Sequence, residues 1–194
     1  MELIVGYNPD TTKRIKNTFN KLLKHVDIDK FILCGGIPIR YYIEKNGLEY
    51  PQRDVNDFDC LLTEESGLKT SVNEDFLIYH HHRGTLNKNK VRFYFSIVDE
   101  ENRIKIDIFD EKTYPARQVE IEYQGNMLMM RSLEGQIVTK VMETLHVVNG
   151  HTVDRKWPND IEMLMKFADL DKAEKYWKEN LEISHHKNNP IFEP

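Results

Sequence analysis

Asp57 and Asp59 stand two apart in the segment RDVNDFDCLL, Arg53 to Leu62, with Phe58 between them and apolar residues after them. In an extended strand, residues i and i+2 share a face. The two carboxylates are therefore neighbours, while Phe58 and Cys60 turn the other way. Two like charges that close disfavour each other's ionised form unless a cation sits between them. Carboxylate oxygens suit hard divalent cations, Mg²⁺ above all. Taken alone, the pair reads first as a solvated strand face or an acid-rich turn. It is not an EF-hand loop: counting from Asp54, the fifth position is Phe58 and the sixth is not glycine.

Two further features bear on the pair. In LCGG, Leu33 to Gly36, a hydrophobic strand ends in Gly35-Gly36 and opens a helix. Bare backbone N–H groups at a helix start form a place for a phosphate, although Gly-Gly is also simply a tight turn. Asp107 sits mid-strand in IKIDIFD, flanked by Ile106 and Ile108, which is hard to account for as a surface position. If that strand pairs beside the one carrying Asp57 and Asp59, three carboxylates converge. With a glycine-rich phosphate loop, they form the constellation for two-metal phosphoryl or nucleotidyl transfer.

The elements that must position these residues follow from periodicity. Asn8 caps a first helix with Pro9 in its first turn, and Ile15, Phe19, Leu22, Leu23 and Val26 form its apolar stripe. FILC, Phe31 to Cys34, reads as a short buried strand, and IPIRYYIEKNG as a helix ending at Gly47. DFDCLL is the second strand. FLIYHHHR and VRFYFSIVD are strand candidates split by GTLNKNK. Ile104, Ile106 and Ile108 alternate with Lys105, Asp107 and Phe109, and QVEIEYQ alternates too. Beyond about Leu128 the pattern turns helical: a helix capped by Ser132, then WPNDIEMLMKFADL and DKAEKYWKENLEI, then a polar tail. The layout is a mixed α/β N-terminal two-thirds and a helical C-terminal third, divided as residues 1–126 and 127–194.

A chain of 194 residues with 40% hydrophobic residues supports a real core and excludes wholesale disorder. A net charge of −5 argues against a surface given over entirely to nucleic acid, but leaves room for a local basic patch. Cys34 and Cys60 lack paired-cysteine spacing and read as buried small hydrophobes in a reducing compartment. With no membrane-length apolar run and no basic, apolar leader, the expectation is a soluble cytoplasmic protein.

Gly-Gly after a hydrophobic strand, then DFD, then an IDI strand resembles the nucleotidyltransferase superfamily that includes DNA polymerase beta and the CCA-adding enzymes. The spacing from Gly36 to Asp57 resembles that of the AbiEii-type nucleotidyltransferases, the toxin components of bacterial abortive-infection and toxin–antitoxin pairs. Their Arg-x-(Ser/Thr)-x-Asp-x-Asp motif is matched by Arg53, Val55, Asp57 and Asp59, with valine at the hydroxyl position. Lys140 in SLEGQIVTKVMETL matches a helical lysine. Arg155, Lys156 and Asp160 match a basic segment with acids, and Trp157 stands where an aspartate is common.

The resemblance implies an α+β fold, a nucleotidyltransferase-like mixed sheet flanked by helices with a helical C-terminal region. It implies that Asp57 and Asp59 hold two Mg²⁺ ions, with Mn²⁺ as a substitute, and that Asp107 is the third acid. Gly35 and Gly36 would approach the triphosphate of an NTP, and Arg53 and Lys140 would neutralise phosphate oxygens. The product would be an NMP-modified acceptor, an RNA or protein hydroxyl, and a cognate antitoxin protein would be a partner. The alternatives are a binding module without chemistry and an aminoglycoside-type small-molecule nucleotidyltransferase.

His80 and His82 would share a strand face, a two-histidine site by geometry or an exposed edge strand by the plainer reading. HHHR and NKNKVR form a basic stretch beside Tyr79, Phe93 and Tyr94. That stretch suits an RNA or nucleotide acceptor, or else Phe93 and Phe95 face the core and the lysines only solubilise a loop. Met127, Met129 and Met130 read as packing residues.

Overall fold

The computed structural model describes residues 2–51, 54–87, 90–111, 117–148 and 156–183. The chain divides into two compact units, Met1–Arg131 and Ser132–Pro194.

The first unit is built on a seven-stranded mixed sheet. Its strands are β1 (Phe31–Cys34), β2 (Asp57–Leu62), β3 (Leu77–Asn87), β4 (Lys90–Asp99), β5 (Ile104–Asp110), β6 (Gln118–Tyr123) and β7 (Asn126–Arg131), in the order β3-β4-β5-β2-β1-β7-β6. β2 runs parallel to β5 and antiparallel to β1, and β1 runs parallel to β7. Strand β7 is not among the strands expected from sequence. Met127 to Met130 is apolar at every position, so it lacks the alternation that marks a half-buried strand. Strands β3 and β4 also run on into the GTLNKNK segment, to Asn87 and from Lys90, where the sequence predicts a break.

Helix α1 (Pro9–His25) starts as its sequence dictates. The Asn8 side chain accepts a hydrogen bond from the Thr11 N–H at 2.8 Å, and proline occupies the first turn. Its stripe covers one face of the sheet: Phe19 packs edge-on or tilted against Phe31, Phe58 and Tyr123, with centroids 5.2–6.1 Å apart. At the helix end, the buried His25 ring lies 2.9 Å from Ser71 Oγ and 2.8 Å from Asp75 Oδ2. Ser71 belongs to the short 3₁₀ turn Thr70–Glu74 and Asp75 is the residue after it. The contact ties that turn to α1, and His25 holds the Asp75 carboxyl below its ordinary pKa.

Helix α2 (Gly36–Lys45) follows β1 directly. Its buried Arg40 donates to the Gly6 carbonyl and is sandwiched between the Tyr7 and Tyr50 rings, 3.9 and 4.1 Å from their centroids. The packed cation fixes the N-terminal loop against α2.

The second unit holds α3 (Leu133–Val148), α4 (Lys156–Met165) and α5 (Leu170–Ile183). Ser132 Oγ accepts the Gly135 N–H at 3.2 Å, the cap read from sequence. Glu134 of α3 pairs with Lys172 of α5 at 3.0 Å. No helix among the described residues is long and apolar enough to cross a membrane.

Candidate active site

The sheet face opposite α1 carries the candidate carboxylates. The alternation along β2 turns Phe58, Cys60 and Leu62 toward the core and leaves Asp57 exposed and Asp59 half-buried. Parallel pairing of β2 with β5 sets Asp59 beside Asp107 and Asp57 beside Lys105. One strand spacing, about 4.8 Å, separates such neighbours. Asp57, Asp59 and Asp107 therefore occupy one face of two adjacent strands.

The turn from β1 into α2 closes against this pair. Cys34 is the register partner of Asp59, and Gly35 is the next residue along. Gly35 has φ +70°, a conformation that favours glycine. A side chain there would overlap the Asp59 carboxylate and lie 2.9 Å from its Cβ. Gly35 also stands at the N-cap of α2 with no side-chain cap, so the first backbone N–H groups of that helix are not capped by their own N-cap residue. Gly36 opens the helix, and a Cβ added to it would meet only the Tyr7 hydroxyl, at 3.9 Å.

Asp107 is held by two groups. Tyr94 Oη donates to its Oδ1 at 2.8 Å, and Lys105 Nζ pairs with its Oδ2 at 2.7 Å. The Asp107 carboxylate raises the Lys105 pKa, with Asp57 contributing at longer range, so the ammonium stays charged. Burial pushes the Tyr94 hydroxyl up, and its donation to Asp107 adds to that. Burial likewise pushes up the thiol of Cys60, which points into the core.

The donor set is all oxygen, on one face, with an ammonium already drawn to it, and such chemistry fits a hard divalent cation. Among the described residues, no three His, Cys, Asp or Glu side chains form a ready-made metal cage. Lys105 is the cation that Asp107 meets instead. His80 and His82 stand nearly parallel on the edge strand β3, with ring centroids 6.5 Å apart and no third ligand of these types grouped with them among the described residues.

Of the remaining sequence candidates, Arg53 lies outside the described residues. Lys140 lies on α3 of the second unit, half-buried, with Nζ 5.3 Å from the Trp157 ring centroid. Phe93 and Phe95 face the core at 7% and 8% exposure, while Tyr94 between them turns to the carboxylate face. Sequence reasoning missed Lys105 and the specific role of Tyr94. The signal for Lys105 was present, since it precedes Asp107 by two and so shares its strand face.

No protein-family model matches the sequence, and no curated protein is significantly similar to it. Solved structures are similar in fold. The antibiotic-resistance factor ANT(2'')-Ia superposes with a TM-score of 0.55 at 14% identity, over 88% of this chain and 91% of that one. An antigenic nucleotidyltransferase-like protein from Paracoccidioides brasiliensis has a TM-score of 0.46 at 11% identity, over 89% and 87% of the two chains. JHP933 from Helicobacter pylori has a TM-score of 0.46 at 13% identity, over 93% and 81%.

The chain shares its fold with the antibiotic-resistance factor ANT(2'')-Ia. Within it, this chain's own features are the Gly35–Asp59 contact and the Lys105–Asp107–Tyr94 group.

Proposed function

We propose that this protein is a metal-dependent nucleotidyltransferase, moving an NMP from an NTP to an acceptor hydroxyl. The observation that carries the reading is the register of β2 on β5, which sets Asp59 beside Asp107 with Asp57 on the same face. Asp57 and Asp59 would hold Mg²⁺ or Mn²⁺, with Asp107 completing the set. The bound ions supply charge neutralisation at the reacting phosphate and a more acidic acceptor hydroxyl. The Gly35-Gly36 turn receives the triphosphate through backbone N–H groups, and a side chain at Gly35 would overlap the Asp59 carboxylate beside it. By the sequence resemblance, Arg53 would neutralise phosphate oxygens.

The acceptor oxygen attacks the α-phosphorus, and the bond to the β-phosphate oxygen breaks. Pyrophosphate leaves with the electron pair of that bond, and the acceptor's proton passes to the Asp107 carboxylate. Tyr94 fixes the orientation of Asp107 for that step, while Lys105 holds the other oxygen, the one a metal ion would take.

Resemblance to the AbiEii-type enzymes supports a toxin role in the cytoplasm, with an RNA or protein acceptor and an antitoxin partner. A second reading, a small-molecule acceptor of the aminoglycoside type, draws on the fold shared with the antibiotic-resistance factor. The test is transfer of label from each α-³²P NTP, with Mg²⁺ or Mn²⁺, into lysate fractions of RNA, protein and small molecules. Label in one fraction, absent with Asp57→Ala, is the expected result and names the acceptor class. Equal labelling by Asp57→Ala would remove the assignment.

A further inference from the structure

A second feature of the carboxylate face extends from Asp107 to the edge of the sheet. Asp107 pairs in register with Ser96, and Ser96 with His80; Phe109 pairs with Tyr94, and Tyr94 with His82. Residues opposite one another in a ladder share a face. Two rows therefore run across β4 to the edge strand, one from the third acid and one from Phe109. Their order depends on a bulge: the register shifts between Ile78 and His80, leaving Tyr79 unpaired and 74% exposed. Without that extra residue, Tyr79 rather than His80 would face Ser96. Bulges re-aim side chains in this way beside active sites.

The rings so placed are available. His80 and His82 are exposed, and Phe109 is 37% exposed. Tyr94 tilts against both His80 and Phe109, with centroids 5.7 and 5.1 Å apart. The His80 and His82 rings are nearly parallel, 11° apart with centroids separated by 6.5 Å. That separation is the two-residue repeat of a strand, about 6.6 Å. It is close to twice the rise of about 3.4 Å per stacked base, so one planar base fits the spacing. The charge of the hairpin matches such a ligand. From Phe76 to Val98 the sequence holds no Asp or Glu but carries Lys88, Lys90 and Arg92, in a chain of net charge −5; Arg83 lies on the opposite face and pairs with Glu65. This balance favours a polyanion over a polycationic small molecule.

We propose that the His80–His82–Tyr94–Phe109 platform is an acceptor subsite for the unpaired 3′ end of a single-stranded RNA. Its terminal bases stack on the rings, and its phosphates are drawn to the basic hairpin. The proposal rests on the nucleotidyltransferase reading only in making the terminal ribose hydroxyl the attacking group. Binding itself stands apart from it.

The test is fluorescence anisotropy of a short 5′-labelled oligoadenylate with the full-length protein, without NTP. The wild type is expected to bind. His80→Ala with His82→Ala should weaken binding about tenfold or more, at an unchanged melting temperature. Phenylalanine at both positions should restore binding, and lysine at both should not. An oligomer lacking its 3′-terminal base should bind the wild type weakly and the double alanine variant no worse. No binding by the wild type, equal binding by the alanine variant, indifference to the missing base, or rescue by lysine would each overturn the subsite.

Label-transfer assays separate the two readings. His-dependent RNA binding with no transfer to any acceptor leaves the subsite standing and removes the enzyme. Transfer to protein or small molecules without RNA binding does the reverse. If both hold, the double alanine variant raises the KM for RNA and leaves kcat nearly unchanged.

Discussion

Asp99 at the end of β4 and Asp107 in the middle of β5 lie eight residues apart in an antiparallel pair, on opposite faces of the sheet. Asp99 is 0% exposed. It accepts from Thr18 Oγ1 at 2.8 Å, from Asn102 through both its backbone and side-chain nitrogens, and from Lys21 at 3.2 Å. Burial alone would raise its pKa, but those donors outweigh burial and hold it below the ordinary value. Asp107 is 8% exposed and has one hydroxyl and one ammonium, both on residues of its own sheet face. An acid saturated by donors from α1 and from its own turn is fastened to the structure. An acid held by only two side chains, one of them the partly exposed Lys105, can exchange a partner for a ligand. Aspartate alone therefore says little, and the face it occupies and the donors around it decide its work.

That contrast predicts how variants divide. Asp57→Ala should reduce label transfer by about 10³-fold or more while leaving the melting temperature within a degree or two; unchanged transfer would break the comparison from the functional side. Asp99→Ala should do the opposite. Stranding Thr18, Asn102 and Lys21 should destabilise the fold by about 2–4 kcal/mol, read by urea denaturation, with nucleotide binding retained by the folded fraction. Because the folded-state pKa of Asp99 is depressed, its contribution is fully present above about pH 3.9 and is lost as pH falls through the lower folded value. Acidification should accordingly cost the wild type more stability than it costs Asp99→Asn.

Gly35→Ala sharpens the comparison at the junction of turn and site. The positive φ and the overlap with Asp59 should cost about 1–2 kcal/mol of stability. The displaced carboxylate should lower transfer by about 10²-fold. The smallest effect belongs to Lys105→Ala, which frees one oxygen of Asp107. The divalent-ion requirement for transfer should shift a few-fold lower, with stability changed by less than about 1 kcal/mol. An unaltered ion requirement would show that Lys105 and the metal do not share Asp107.

Much of this was legible in the sequence because period-2 alternation fixes which side chains share a face. Asp57 with Asp59, and Lys105 with Asp107, needed no structure to be paired along their strands. Adjacency between strands did not follow in the same way. That Asp59 neighbours Asp107 depends on β5 running parallel beside β2, a connection made through the β3–β4 hairpin. The sequence reading could state it only as a condition. Strand β7 escaped because Met127 to Met130 carries no alternation, and the bulge at Tyr79 escaped because one extra residue leaves no composition signal. The α1 cap at Asn8 and the α3 cap at Ser132 were readable because capping is a local matter.

The central claim is that the open-face carboxylates Asp57, Asp59 and Asp107 receive a hard cation together with a triphosphate. The most direct measurement is a crystal structure of the protein soaked with Mn²⁺ and a non-hydrolysable NTP, with anomalous difference maps recorded at the manganese edge. The account predicts anomalous peaks between the carboxylates of β2 and β5, with the triphosphate lying along the Gly35-Gly36 turn. Nucleotide bound elsewhere, or manganese absent from that face while the nucleotide is present, would contradict it.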